Sequence, residues 1–494
     1  MAVKRIGAGL IIVGTFGIAL SLLIAFLLRA QADGQSIQIL GIEISVIVIL
    51  IGLWLVLSQA SEEVQFEKQV QKFVNHILNL PMIIWVLLAF LLVYFRYFIF
   101  PLFLNSGLVM DYLTGYLENI NPIGNDLIVM LDQIKGWVAT GQSPYLVQFY
   151  PPLTYLIFTP LLLIKDYLAL YRFFTAFSFI NYSLLTLWLP FKMIDKRNAS
   201  LAFLLFVTGL FSYGFQLELE RGQYNVFAFL LCMSSIYTFH YHPKYRLIAY
   251  FLFSISIQLK LYPAIFIFMF VDDWRDWKNT IRRFIGIGIF NLMLFFVMGP
   301  QIFLDFIRSV TAQIVNPSWK GVTNHSISSF VGSVKYDGLG LVNMETLRVI
   351  RHNSEWLEAF LFVIFIILFV SNLVIFYIRK EPGLDPYLLL ACTIGAIILP
   401  ISYDYTLSIL VTPMLLFLNG MSEMTKAWHK LLSILLTLAI SIAYFSTLVP
   451  YKYRPFYLDN IFPSLFLILI VVTILNFMRY KNSKVGLIEN ELAT

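Results

Sequence analysis

The chain has 494 residues, 59% of them hydrophobic and only 13% charged, with a formal net charge of +6. A water-soluble globular domain carries about 25% charged residues, so this composition excludes a single soluble core. With no soluble basic module to bind nucleic acid, the positive balance fits cytoplasmic anchoring of a membrane protein instead.

Apolar stretches near or above about 18 residues recur along the chain, long enough as helices to cross a hydrocarbon layer of about 30 Å. Such unbroken runs exclude a barrel of short alternating strands. Lys4 and Arg5 precede an apolar run at 6–28, followed by Ala30-Gln31-Ala32 in the manner of a cleavage site. The run exceeds the roughly 7–15 residues of a signal-peptide core and reads as an uncleaved first helix. Further spans are predicted at 41–59, 80–102, 168–190, 200–217, 224–239, 284–300, 356–377, 385–401, 405–419, 431–449 and 461–478. Residues 247–271 are interrupted by Lys260 and Pro263 and predict a broken helix pair, because proline removes a backbone donor and a buried lysine must reach water or an anion. Residues 149–164 open with Tyr150-Pro151-Pro152 and predict a segment that dips in and returns.

The expected fold is therefore an all-α, polytopic transmembrane helical bundle of about 12–14 helices with long outer loops. The positive-inside rule places Lys68/Lys72, Lys192/Lys196/Arg197, Lys244/Arg246, Arg275/Lys278/Arg282/Arg283, Arg379/Lys380, Lys426/Lys430 and Arg479/Lys481 in the cytoplasm with Lys4/Arg5. The long hydrophilic segments 103–148 and 301–355 then fall on the outer face. The whole chain, 1–494, reads as one integral membrane domain without an internal repeat. Cys232 and Cys392 lie in apolar runs and read as small buried hydrophobes, with no disulfide framework. No zinc-protease, phosphate-loop or dinucleotide fingerprint occurs, and the six histidines form no persuasive ligand set, so neither a metal nor a cofactor is expected.

Polar residues concentrate at the predicted outer corners. Asp126 and Asp132 lie in the first long loop, followed by Tyr145 and Tyr150; Arg221, Gln223 and Asn225 form the next corner. Lys260 and Tyr262 follow, then Asn324 and His325 in the second long loop, and Tyr403 and Asp404 near the end. An ionised side chain within a span costs about 2.5–3.5 kcal/mol on insertion scales, so it needs a partner, water or a function. Arginine and lysine at a low-dielectric boundary suit a phosphate ligand, and a nearby carboxylate suits proton removal from a hydroxyl nucleophile. Plainer readings stand beside these. Arg221 can snorkel to headgroups or pair with Glu218 or Glu220, Lys260 can mark a structural kink, and His325 can be an ordinary loop histidine. Asp126 can simply cap the helix that follows it, and nothing in the sequence shows that Asp132 faces it.

In order, Asp126-Leu127-Ile128-Val129 through Gly141 and Pro144-Tyr145, then Tyr150-Pro151-Pro152-Leu153 with Phe158-Thr159-Pro160-Leu161, Arg221-Gly222-Gln223-Tyr224-Asn225 and Lys260-Leu261-Tyr262-Pro263 form a set. It resembles the GT-C glycosyltransferases, and most closely family GT87, which includes polyprenyl-phosphate-mannose-dependent mannosyltransferases and related arabinofuranosyltransferases. Asn324-His325-Ser326-Ile327 resembles a later outer-loop element of that family, and Ser402-Tyr403-Asp404-Tyr405 its final corner. The similarity covers about 80–420, with two further helices and a linker in 1–79 and C-terminal helices with a short tail in 421–494. Met130 stands where a tyrosine is expected, Leu261 where proline is common, and paired histidines are missing near 404–405.

The resemblance implies an inverting hexosyl, mannosyl-type transfer from a polyprenyl-phosphate carrier to a lipid-linked or glycan acceptor, in the cell membrane and on its non-cytoplasmic face. It implies Asp126 as general base, with Asp132 a possible additional carboxylate, and Arg221, Lys260 and His325 as donor-phosphate ligands. Tyr145, Tyr150, Gln223, Asn225, Tyr262, Asn324, Tyr403 and Asp404 would line the site. Such enzymes generally need no metal. A transporter or flippase for a lipid-linked saccharide is the competing class; it would also use broken helices and cations, but no catalytic carboxylate.

Overall fold

The computed structural model describes residues 72, 76, 124–145, 149–194, 199–210, 212–273, 275–315, 324–337, 348–349, 351–379, 383–399, 402–421 and 460–493. The spans expected at 6–28, 41–59, 80–102 and 431–449 lie outside these residues. Among the described residues the regular structure is helical, and one isolated antiparallel bridge joins Asn324 to Tyr403.

In chain order, α1 is Asn125–Thr140, and α2 (Pro152–Phe158) runs on as a 3-10 turn, Thr159–Leu163. Helix α3 (Tyr167–Ser183) passes through a π turn, Leu184–Trp188, into α4 (Leu189–Met193). Next come α5 (Ala199–Leu210), α6 (Tyr213–Arg221), α7 (Asn225–Tyr241) and α8 (Arg246–Leu259), then a 3-10 segment, Tyr262–Met269. Helices α9 (Trp277–Phe295), α10 (Pro300–Val315), α11 (Ile327–Asp337), α12 (Ser354–Arg379) and α13 (Pro386–Ile398) follow. A 3-10 turn, Asp404–Leu410, leads into α14 (Val411–Met421), and the last helix is α15 (Phe462–Ala493).

Among the described residues three stretches, Ala169–Met193, Ser354–Arg379 and Phe462–Tyr480, are long and apolar enough to cross a bilayer, and α9 with α10 form a further pair bent by 102°. The chain is a polytopic helical membrane protein. At 26 residues, α12 reaches about 39 Å. It leaves Phe360, Val363, Ile367, Val370 and Val374 exposed, a three-four spacing that turns one apolar stripe toward lipid. Asp385 starts α13 by accepting the Tyr387 and Leu388 N–H groups at 2.9 and 3.0 Å, with Pro386 at the first helical position. From Tyr387 to Ile398 every residue of α13 is buried, and with α7 and α14 it forms the centre of the core around Cys232 and Cys392.

Two expectations need correction. The span at 200–217 is not continuous: it divides into α5 and α6, because Ser212 accepts the Phe215 N–H at 3.4 Å and starts a new helix. The segment 301–355 is not simply a hydrophilic loop, since it contains α10, α11 and the start of α12. The broken pair at 247–271 is observed, with Lys260 extended at the break (φ −147°, ψ 141°). The 12 residues of Pro152–Leu163 are too few to span about 30 Å.

Helices α7 and α8 lie side by side and set two ends of the bundle. Asn225 and Lys260 share one end. At the other, Arg246 and Arg283 reach Asp272 at 2.7 and 3.4 Å and sit 4.8 and 4.9 Å from the Phe239 ring.

A smaller apolar cluster, built from Leu127, Met130, Ile134, Tyr155, Phe158 and Tyr224, seats α1 at the first end. Two glycines allow the approach. Gly124 (φ 78°) donates its N–H to the Glu220 carbonyl at 2.6 Å, and a Cβ there would come within 2.8 Å of the Tyr171 ring. Gly222 (φ 67°) has room for no Cβ, which would meet Leu127 Cβ at 2.8 Å.

Gly222→Ala therefore combines left-handed backbone strain with a clash. Gly141→Ala, at φ 71° with nothing within 4 Å of the added carbon, brings strain alone, about 1 kcal/mol. The thermal unfolding midpoint in detergent should fall further for Gly222→Ala than for Gly141→Ala; equal shifts would show that α1 is not seated by this contact.

Candidate functional site

The seat of α1 brings its first turn against the corner between α6 and α7. Helix α1 has Gly124, not Asp126, at its N-cap position. Asp126 Oδ2 accepts from Gln223 Nε2 at 2.6 Å, and Oδ1 lies 3.7 Å from Arg221 Nη1. The same Gln223 nitrogen donates to the Tyr150 hydroxyl at 3.1 Å, while Gln223 Oε1 accepts from Lys260 Nζ at 2.7 Å. Lys260 is presented by the extended break after α8, Arg221 by the last turn of α6, and Gln223 by the turn that Gly222 makes possible.

The Lys260 ammonium sits among aromatic rings, 4.5 Å from the centroid of Tyr150, 4.6 Å from Tyr224 and 5.9 Å from Tyr405. Ring faces attract a cation and offset part of the hydration it has lost. Lys260, Tyr150 and Tyr405 line a cavity of about 650 Å³, within the size range of small-molecule and cofactor sites. Its lining includes Asp126, Arg221, Gln223, Asn225 and Lys260 together with the apolar Leu261, Ile265, Val310, Ile314 and Leu399. Such a lining offers an anionic head cationic and hydrogen-bonding partners, a carboxylate beside them, and apolar contact for hydrocarbon.

Tyr150, Tyr262 and Tyr403 also line the cavity. Asp132 does not: it is exposed, six residues along α1, and six residues at 3.6 per turn carry it to another face of the helix. Tyr145 lies behind the wall, donating to the Tyr150 carbonyl at 2.9 Å and packing edge-on to Tyr155. His325 and Asp404 are fully buried against each other, with Nε2 to Oδ1 at 2.8 Å. The Ile461 N–H donates to His325 Nδ1 at 3.4 Å, so Nε2 carries the proton and donates to Asp404. Asn324 accepts from the Ser402 N–H at 3.2 Å through its side chain and from Asn460 Nδ2 at 3.2 Å through its carbonyl. These residues clasp the loop before α11, the 402–405 corner and the start of α15, and Tyr403 projects from that clasp onto the cavity wall.

Some contributors escaped the sequence reading. Glu218 is fully buried, accepting the Val226 N–H at 2.8 Å and the Ser408 hydroxyl at 2.7 Å. Tyr224 and Tyr405 complete the aromatic surround, and α10 supplies part of the apolar lining. Its signal was present: Ile302, Phe306, Val310 and Ile314 recur at every fourth position, the spacing of one helix face. Among the described residues no group of three or more His, Cys, Asp or Glu side chains is placed to hold a metal ion.

The fold and site are those of a polytopic helical membrane protein with a cavity lined by both charged and apolar side chains. The model of glycosyltransferase family 87 matches residues 149–401, just over half of the chain. The chain belongs to that family, and its chemistry is sugar transfer. Arg221, Gln223, Lys260 and His325 fall inside the matched region, whereas Asp126 lies before it. No curated protein and no solved structure matches the chain.

The buried pair can be told apart from a ligand site by stability. His325→Ala removes a donor from the Asp404 carboxylate, a loss of about 1.5–3 kcal/mol for a hydrogen bond to a charged group. The unfolding midpoint of purified protein should drop clearly while affinity for a phosphate-bearing lipid changes little. An unchanged midpoint with strongly weakened lipid binding would make His325 a ligand.

Proposed function

We propose that this protein is an inverting glycosyltransferase that moves a hexose, of the mannosyl type, from a polyprenyl-phosphate carrier to a hydroxyl of a lipid-linked or glycan acceptor. In this reading the bundle is of the GT-C type and the cavity opens on the non-cytoplasmic face, opposite the basic end at Arg246 and Arg283. The observation that carries it is the convergence of Asp126, Arg221 and Lys260 on one cavity that is also lined by apolar side chains.

The acceptor oxygen attacks the anomeric carbon as its proton passes to the Asp126 carboxylate. The bond from that carbon to the phosphate oxygen breaks with its electron pair, releasing polyprenyl phosphate and inverting the centre. Lys260 and Arg221 neutralise the phosphate and the charge that grows on it, which needs no proton to leave. Preorganised charges of this kind are commonly among the largest contributions to catalysis. Val310, Ile314 and Leu399 offer hydrocarbon contact to the first isoprene units. His325 enters at one remove, through the clasp that holds Tyr403, rather than as a phosphate ligand.

Removing a general base costs typically 10²–10⁴-fold, about 3–5 kcal/mol of barrier. Asp126→Asn should fold, bind donor and lose transfer by about that factor, whereas Asp132→Asn should transfer near the parent rate. The assay follows labelled sugar from donor to acceptor in nanodiscs beside donor affinity; near-normal transfer by D126N would reject the reading. Lys260→Ala and Arg221→Ala should each weaken donor binding, because each removes a charge-assisted contact.

Topology is tested separately. Single cysteines at 126 and 403 should react with an impermeant maleimide added outside intact cells, and one at 275 only after lysis. Labelling of 126 and 275 from the same side would overturn the orientation.

A further inference from the structure

The Gln223 side chain touches both Asp126 and Lys260, giving Nε2 to Asp126 at 2.6 Å and accepting from Lys260 Nζ on Oε1 at 2.7 Å. The orientation of the amide follows from its partners. A flip would set Oε1 against a carboxylate and Nε2 against an ammonium, two repulsive contacts in place of two attractive ones. The residue is buried, its own N–H is held by the Glu218 carbonyl at 2.9 Å, and Tyr150 takes a second contact from Nε2 at 3.1 Å. The amide is therefore fixed from three sides, between groups that would otherwise attract one another across a weakly screening space.

We infer that Gln223 is a positioning residue, whose neutral amide keeps Asp126 and Lys260 from closing into a direct ion pair. The inference rests on the roles proposed above for those two residues. A direct pair would stabilise the carboxylate in its charged form and make it a poorer base. It would also engage the ammonium that the donor phosphate has to meet. The amide satisfies both charges with hydrogen bonds while leaving the carboxylate able to accept a proton. Entry of a phosphate can then draw Lys260 away without leaving Asp126 unsatisfied, since the Gln223 nitrogen remains on it. Glutamine is suited to the place because it donates at one end and accepts at the other. A carboxylate would only accept, and an ammonium or guanidinium would only donate.

Among the described residues, the other groups facing Asp126 include Arg221 on the same corner, Tyr150 before α2, and Tyr403 and Tyr405 on the 402–405 corner. Changing residue 223 takes the amide donor from Tyr150 in either variant and leaves the Arg221, Tyr403 and Tyr405 side chains themselves unchanged, so two substitutions there make opposite predictions. Gln223→Met keeps the length and removes the polar ends, letting Lys260 close on Asp126. The acid limb of kcat/KM against pH should move down by about one unit, and donor KM should rise about tenfold. Gln223→Glu puts a second carboxylate beside Asp126, and the acid limb should move up by about one unit as the pair resists a second charge.

The experiment uses full-length protein in nanodiscs with polyprenyl-phosphate sugar as donor, comparing the parent with Q223M, Q223E and D126N. Where a variant turns over too slowly to profile, the pH dependence of Asp126 modification by a hydrophobic carbodiimide, read on the peptide carrying it, supplies the same midpoint. Opposite displacements in the two variants support the spacer role. Displacement in one direction only, or in neither, while D126N is inactive, overturns that role and leaves the proposed function standing. Near-normal transfer by D126N removes the functional reading itself.

Discussion

The backbone contact between Gly124 and the α6–α7 corner governs the site. The Gly124 N–H reaches the Glu220 carbonyl at 2.6 Å, and a Cβ on Gly222 would lie only 3.4 Å from Gly124 Cα. Side chains at either position would hold α1 away from the corner. With both absent, the first turn of α1 lies against Arg221 and Gln223, and a carboxylate from outside the family-matched region joins cations from within it. The seat is apolar, made by Leu127, Met130 and Tyr155 against Tyr224, so burial of hydrocarbon positions an ion that hydrocarbon alone would repel.

That arrangement has to tolerate charge in poorly screened surroundings. It does so by pairing at unequal distances. Asp126 takes a short bond from a neutral amide and a longer contact, 3.7 Å, from Arg221. Lys260 gives a short bond to the other end of that amide and rests near three tyrosine rings. Neither ion is closed into a tight pair with the other. The clasp shows the opposite solution: His325 and Asp404 are at 2.8 Å, fully buried and away from the cavity. Tight mutual satisfaction suits a residue that holds structure together, and looser satisfaction suits one that must exchange partners with a ligand.

Legibility in the sequence followed the physical range of each signal. The runs containing 169–193, 354–379 and 462–480 were readable because hydrocarbon thickness sets a minimum apolar length. The break at Lys260 was readable because a lysine and a proline interrupt an otherwise apolar run. The division of 200–217 was not, since a serine within an apolar stretch shows its capping role only when it accepts the Phe215 N–H. Helix α10 was missed because an interfacial helix carries enough polar residues to resemble a loop. Of the candidate residues, Asp126, Tyr150, Arg221, Gln223, Asn225, Lys260, Tyr262 and Tyr403 line the cavity, and all belong to the corner motifs. His325 and Asp404 had been sorted with them because each sits in such a motif. Their pairing spans 79 residues, and no local pattern announces it.

The bend between α9 and α10 connects these features to the membrane. The two helices are bent by 102°, so they cannot both run along the bilayer normal. One side of α10 buries Ile302 and Phe306 and brings Val310 to the cavity, while Leu304 and Ile307 remain exposed. Apolar contact on both sides suits a helix at the boundary between protein and lipid. The apolar lining of the cavity is thus supplied partly by a helix that also leaves apolar side chains exposed, whereas the charged lining comes from the first turn of α1, the end of α6 and the break after α8. Under the proposed function, a phosphate carried on a long hydrocarbon chain would meet both the charged and the apolar lining, with the acceptor hydroxyl beside Asp126.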